Sequence, residues 1–170
     1  MIMARSSLVT EEVEPTEESH DILERDHGRR ERQLVLLVDD DPHDREIYGR
    51  ILCYNGFDVI CASDGESGMR LALRYHPDVV LLDIGLPDLH GLDLCSSLRT
   101  QAETCDIPVV ALSAYAEARM GEQARLAGCT RYIEKPASPV AVLHEIEQLV
   151  GKPPLAGEGR APIMILPGEA

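Results

Sequence analysis

A chain of 170 residues, 44% hydrophobic and 27% charged, suits one globular domain with flanking segments. A formal net charge of -14 argues against a nucleic-acid surface, because phosphate backbones are met by clustered Lys and Arg. With no Trp and one Phe the core must be mainly aliphatic, and no apolar run approaches the length of a signal peptide or a membrane span. Cys53, Cys61, Cys95, Cys105 and Cys129 form no CxxC pair, which argues against a structural zinc site and favours a reduced, cytoplasmic compartment with no membrane partner.

Residues 1–33 read as an acidic, flexible arm. Between Glu11 and Glu24 there are seven carboxylates and no Lys or Arg, followed by the crowded Arg25, Arg29, Arg30 and Arg32. The composition fits a solvated tail without function slightly better than a partner-docking arm.

Residues 34–150 alternate short apolar runs with stretches of helical period. Leu34–Val38 is apolar throughout, as a strand buried on both faces should be. Asp41-Pro42 offers an N-cap and an N1 proline, Ile47, Ile51 and Leu52 line one helical face, and Asn55-Gly56 ends that helix. Phe57–Ala62 reads as the second strand, Asp64 opens the second helix, and Asp78–Leu82 is the third strand. A helix over about 92–100, a strand over 108–112 and a helix over about 116–126 follow, the last stopped by Gly128. Thr130–Ile133 is the fifth strand, and Ser138-Pro139 opens the final helix. Five strands alternating with five helices predict a parallel sheet covered on both faces. Residues 151–170 hold four Pro and four Gly and are read as a tail without regular structure.

In such sheets the chemistry gathers beyond the carboxyl ends of the strands. Those ends carry Asp39-Asp40-Asp41, Asp83, Ser113 and, after the fifth strand, Lys135-Pro136. Neighbouring strands lie about 5 Å apart, so the carboxylates after the first and third strands would repel one another unless a cation joined them. A hard ion with oxygen ligands, Mg2+, answers that need. Lys135 supplies a point charge and Ser113 a hydroxyl for phosphoryl oxygens, which together with a carboxylate nucleophile is the equipment of phosphoryl transfer. Asp41, directly before Pro42, is read as the N-cap instead.

Four groups of residues resemble the receiver domain of bacterial response regulators, the phosphoacceptor module of two-component signalling. They are Val38-Asp39-Asp40-Asp41-Pro42, Leu82-Asp83-Ile84-Gly85-Leu86-Pro87 with Gly91, Leu112-Ser113-Ala114, and Tyr132-Ile133-Glu134-Lys135-Pro136. The resemblance spans about residues 34–150 and is to the stand-alone, chemotaxis-receiver type. It implies a flavodoxin-like fold, five parallel strands in the order 2-1-3-4-5 with five helices. It also implies that Asp83 accepts a phosphoryl group from a sensor histidine kinase or a histidine phosphotransfer protein. Asp40, Asp83 and the Gly85 carbonyl would ligate Mg2+, with Asp39 acting through a coordinated water. Lys135 would pair with Asp83, its bond to Pro136 being cis, and Ser113 and Tyr132 would form the switch that reshapes the surface of the fourth helix, fifth strand and fifth helix.

On this reading the protein is a signalling module and not an enzyme, at most dephosphorylating itself weakly, and it acts on a downstream protein target. Pro87 and Gly91 shape the loop, His90 is an exposed loop residue, and Gly85 and Tyr115 border the path of a hydrolytic water. Two other classes compete. A receiver-like scaffold that binds a partner without phosphorylation would usually have lost Asp83-type, acidic-pair or Lys135-type residues. A metal-dependent aspartyl-phosphate phosphatase would commonly carry a second Asp two residues after the nucleophile, where Gly85 stands.

Overall fold

The computed structural model describes residues 11–12, 21, 23, 30–114, 119–154 and 160–167. Among these, β1 (Glu11–Glu12), β2 (Leu34–Val38), β3 (Asp58–Ala62), β4 (Val79–Asp83), β5 (Val109–Ser113), β6 (Arg131–Glu134) and β7 (Ile163–Ile165) form one sheet. The helices are α1 (Pro42–Tyr54), α2 (Gly65–Tyr75), α3 (Gly91–Thr100), α4 (Met120–Leu126) and α5 (Pro139–Val150). All neighbouring strands are parallel, in the order β1-β7-β3-β2-β4-β5-β6. The stretch β3-β2-β4-β5-β6 is the expected 2-1-3-4-5 arrangement, the flavodoxin-like fold.

Period-two alternation within the central strands assigns each face its helices. Leu34, Leu36 and Val38 point with Ile60, Val80 and Leu82 towards α2 and α3, where Ala72, Tyr75, Leu94 and Leu98 close the layer. Val35 and Leu37 point the other way with Val59, Leu81 and Val110, against Leu52 of α1 and Val142 and Ile146 of α5. A smaller cluster of Ile84, Leu92, Ala111, Met120 and Ala124 seats α4. Burial on both faces explains the apolar runs of β2 through β5, which are polar only at Asp58 opening β3 and at Asp83 and Ser113 closing β4 and β5.

Local signals act as their chemistry requires. Asp41 Oδ1 accepts the His43 N–H at 2.8 Å and Pro42 occupies the first turn, so α1 begins at the end of β2. Gly56, at φ +95°, reverses the chain after α1. Ser138 sits at the N-cap of α5 but its side chain makes no capping bond there.

One expectation is corrected. The tail after residue 150 is not free of regular structure: Ile163, Met164 and Ile165 form β7, which pairs with the outer edge of β3. The four prolines deny hydrogen bonds only where they stand, and Pro162 and Pro167 lie outside the three-residue ladder. The apolar run then gains by covering an exposed strand edge, with Met164 packed in the α1 layer. A polar frame holds it: the Arg160 guanidinium forks onto the fully buried Asp58 carboxylate, which also accepts the Ile163 N–H at 3.0 Å. Buried Arg32 donates to the carbonyls of Gly56, Pro154 and Arg160. Most of the 1–33 arm lies outside the described residues; Glu11–Glu12 adds to the outer edge of β7.

Candidate phosphoacceptor site

Strand register builds the site. Val38 pairs with Leu82 across β2 and β4, so Asp39 and Asp83 follow at adjoining strand ends. Oxygen atoms of Asp39, Asp40 and Asp83 all lie within 4.8 Å of one another. Asp39 is wholly buried, Asp83 nearly so, and Asp40 is exposed at the rim. Three hard carboxylates at that spacing fit a divalent ion with oxygen ligands, Mg2+ among them, with the open side left for water or phosphoryl oxygens.

Asp39 is held from several directions. Its Oδ1 accepts the Asp41 N–H at 2.9 Å and its backbone carbonyl accepts from Arg45 at 2.6 Å. Burial, reinforced by the Asp83 charge, pushes its carboxyl up to about 6, although the Asp41 N–H and Lys135 pull the other way. Asp83 Oδ1 accepts the Gly85 N–H at 2.9 Å, which orients the carboxylate across its own loop. Gly91 is where α3 meets that loop: its N–H bonds the Ile84 carbonyl at 2.9 Å, and a Cβ there would fall 2.5 Å from the Asp83 carbonyl oxygen.

Lys135 enters from β6. Its backbone N–H bonds the Ser113 carbonyl at 2.7 Å, and the following bond to Pro136 is cis, as the resemblance implies. The ammonium makes three contacts: Asp44 at 2.8 Å, Asp83 at 3.0 Å and Asp39 at 3.2 Å. An ammonium has three donors, and here three carboxylates take them. Burial alone would lower the Lys135 pKa, but Asp44, Asp39 and Asp83 together hold it above the ordinary lysine range.

Asp44 was not singled out in the sequence. It stands one turn into α1, on the face that also presents Tyr48, and the helix start set by Asp41-Pro42 was the signal that could have placed it. Beside it a cleft of about 450 Å³ runs between α1 and the β6–α5 connection, lined by Ile47, Tyr48, Ala114 and Pro139.

Ser113 closes β5 and is fully buried, one residue past the Leu112 that pairs with Asp83. Tyr132 lies in the β6 register beside Ala111, half-buried against the α4 cluster. His90 is exposed as expected, but it also caps α3, its Nδ1 accepting the Leu92 N–H at 3.3 Å. Tyr115 lies outside the described residues.

The model for the response regulator receiver domain matches residues 35–147. The chain belongs to the response regulator receiver family. The polar-differentiation response regulator DivK of Brucella ovis is 32% identical over 117 residues, 69% of this chain and 95% of that protein. The transcriptional regulatory protein KdpE of Mycobacterium tuberculosis is 35% identical over 131 residues, 77% of this chain but 57% of that longer protein. Among solved structures, the receiver domain of a Pseudomonas aeruginosa sensor histidine kinase is 29% identical with a TM-score of 0.65, covering 71% of this chain and 99% of that one. That structure carries a magnesium ion coordinated in its active-site cleft. A response regulator from Chloroflexus aurantiacus aligns at a TM-score of 0.67 with 26% identity over 71% of this chain and 99% of its own. In this receiver, no described helix is long and apolar enough to cross a membrane.

Proposed function

We propose that this receiver takes a phosphoryl group on Asp83 from the phosphohistidine of a sensor kinase or phosphotransfer protein, as a cytoplasmic phosphoacceptor signalling protein and not an enzyme with its own substrate. The convergence of Asp39, Asp40, Asp83 and Lys135 at the carboxyl ends of the sheet carries the reading. An Asp83 carboxylate oxygen attacks phosphorus, the phosphorus–nitrogen bond breaks, and the donor imidazole departs with the electron pair, leaving an acyl phosphate. Lys135, already 3.0 Å from Asp83, follows the charge onto the phosphoryl oxygens. Asp40, Asp83 and the Gly85 carbonyl, with Asp39 through water, are the groups that would hold Mg2+. The ion supplies charge neutralisation for the incoming phosphoryl oxygens. The cleft between Tyr48 and Pro139 gives a donor side chain a way in beside Lys135.

Ser113 and Tyr132 are the proposed switch pair. When the Ser113 hydroxyl turns to the phosphoryl group, Tyr132, now packed against Met120 and Ala124, swings into the space vacated, and the surface of α4, β6 and α5 changes for a protein target. The test is intact mass after a small acyl phosphate and Mg2+. One acid- and base-labile phosphate is expected, lost in Asp83→Asn and in the absence of the metal. An adduct that survives Asp83→Asn, or none with saturating donor, overturns the assignment.

A further inference from the structure

The thiols of Cys95 and Cys129 lie together on the side of the sheet covered by α2 and α3. Cys129 Sγ donates to Cys95 Sγ at 3.2 Å, with 34 residues of chain between them. Cys95 is fully buried on α3, whereas Cys129, in the connection from α4 to β6, is only partly covered.

Arg99, one turn on from Cys95, holds the two sulphurs in one frame. Its Nε donates to the Gly128 carbonyl at 2.9 Å, and its Nη1 donates to the carbonyls of Cys105 and Ile107 at 2.9 and 2.8 Å. The guanidinium therefore ties the residue before Cys129 to the helix that carries Cys95. The S–H donated by Cys129 lowers the Cys95 pKa from the ordinary thiol value; burial opposes this and the Arg99 charge adds to it. Cys53 and Cys61 differ, since burial pushes both thiols up, and the partly exposed Cys105 donates to the Ala102 carbonyl.

We infer that Cys95 and Cys129 form a site of reversible oxidative modification, which a peroxide converts to a disulfide joining α3 to the entry of β6. The pair first loses one proton, and the remaining proton is shared across the contact. The contact with Cys95 and burial hold the Cys129 thiol above its ordinary value, so the accessible Cys129 attacks one oxygen of the peroxide as the shared proton passes to Cys95; the oxygen–oxygen bond breaks and hydroxide leaves, giving a sulfenic acid. The Cys95 sulphur displaces that hydroxyl to form the S–S bond. The two released hydroxides take up the two thiol protons, so two thiols and one peroxide give one disulfide and two waters. Because β6 lies at the edge of the sheet, with β5 as its one strand neighbour among the described residues, the new bond clamps its entry to α3.

The experiment uses the full chain, reduced, freed of reductant, exposed to a small excess of hydrogen peroxide, then alkylated and digested. The intact mass should fall by two hydrogens, with a peptide cross-linking Cys95 to Cys129 formed before Cys105 is modified. Cys129→Ser should abolish the cross-link and Cys105→Ser should leave it. Backbone hydrogen exchange across Arg131–Glu134 should slow on oxidation and recover with dithiothreitol. Separate alkylation of Cys95 and Cys129 while Cys105 is already oxidised overturns the site, as does a cross-link through other cysteines. Equal slowing of exchange in Cys129→Ser overturns the clamp.

Discussion

The Lys135 ammonium lies closer to Asp44 Oδ2, at 2.8 Å, than to Asp83 Oδ2, at 3.0 Å. The residue that neutralises the phosphoacceptor is thus anchored from its far side by α1. Asp39 and Asp83 are also the carboxylates that would turn towards a metal ion. Asp44 is the partner that stays with the lysine when they do.

Asp44→Ala should therefore slow phosphorylation of Asp83 by a small acyl phosphate roughly fivefold, the worth of one hydrogen bond of about 1 kcal/mol. Asp44→Asn, which keeps an oxygen acceptor, should recover part of that rate. Were Asp44 only a repelling charge near an anionic donor, both variants would react faster than the parent. Stopped-flow or timed intact-mass measurements at fixed ionic strength separate the outcomes.

Gly91 should tolerate no side chain. A Cβ there would meet the Asp83 carbonyl oxygen at 2.5 Å and the Ile84 Cα at 2.6 Å, both backbone atoms that cannot swing aside. Gly91→Ala should cost about 1–3 kcal/mol in urea unfolding, as overpacking does. It should also slow phosphorylation by displacing the loop that orients Asp83. Unchanged stability would show that the α3 start moves freely.

The C-terminal strand should contribute measurably to stability through Asp58. That carboxylate is fully buried and its charged partner is Arg160, whose side chain is one quarter exposed. Arg160→Ala leaves the charge without its counterion and should destabilise by about 3 kcal/mol. Adding Asp58→Asn should return part of the loss, so the double-mutant cycle should show coupling. Additive effects would mean that β7 holds its place by apolar packing alone.

Burial pushes the Cys61 thiol up to about 12, and Cys53 is raised in the same direction. An unfolded thiol titrates near 8.5, so the folded state keeps the proton over a range where the unfolded state has lost it. The stability from this source is complete below about pH 8.5 and declines as pH rises towards 12, by about 1.4 kcal/mol per pH unit for each thiol. Cys61→Val should flatten that alkaline decline, as followed by urea unfolding between about pH 8 and 10.5. Both thiols should react with a disulfide reagent at pH 8 only after the protein unfolds.

The sequence by itself determined the five-strand core and the residues at its strand ends. Leu34–Val38 and Val79–Leu82 are buried on both faces, and a doubly covered strand must be written as an apolar run. The change from apolar to acidic at Val38-Asp39 and Leu82-Asp83 then marks where each strand leaves the core. Capping chemistry is equally local, which is why Asp41-Pro42 and Asn55-Gly56 bounded α1 correctly. Tertiary structure alone decided contacts set by distance through space. Asp44 joins Lys135 across 91 residues of chain, and Arg160 reaches Asp58 across 102. Ile163–Ile165 is too short to signal a strand by pattern, and it becomes one because β3 offers an unpaired edge and Asp58 an anchor. Lys135 and its three carboxylates follow the same logic: the residue types were legible in one dimension, but which of them share a proton donor depends on how α1 and β6 pack.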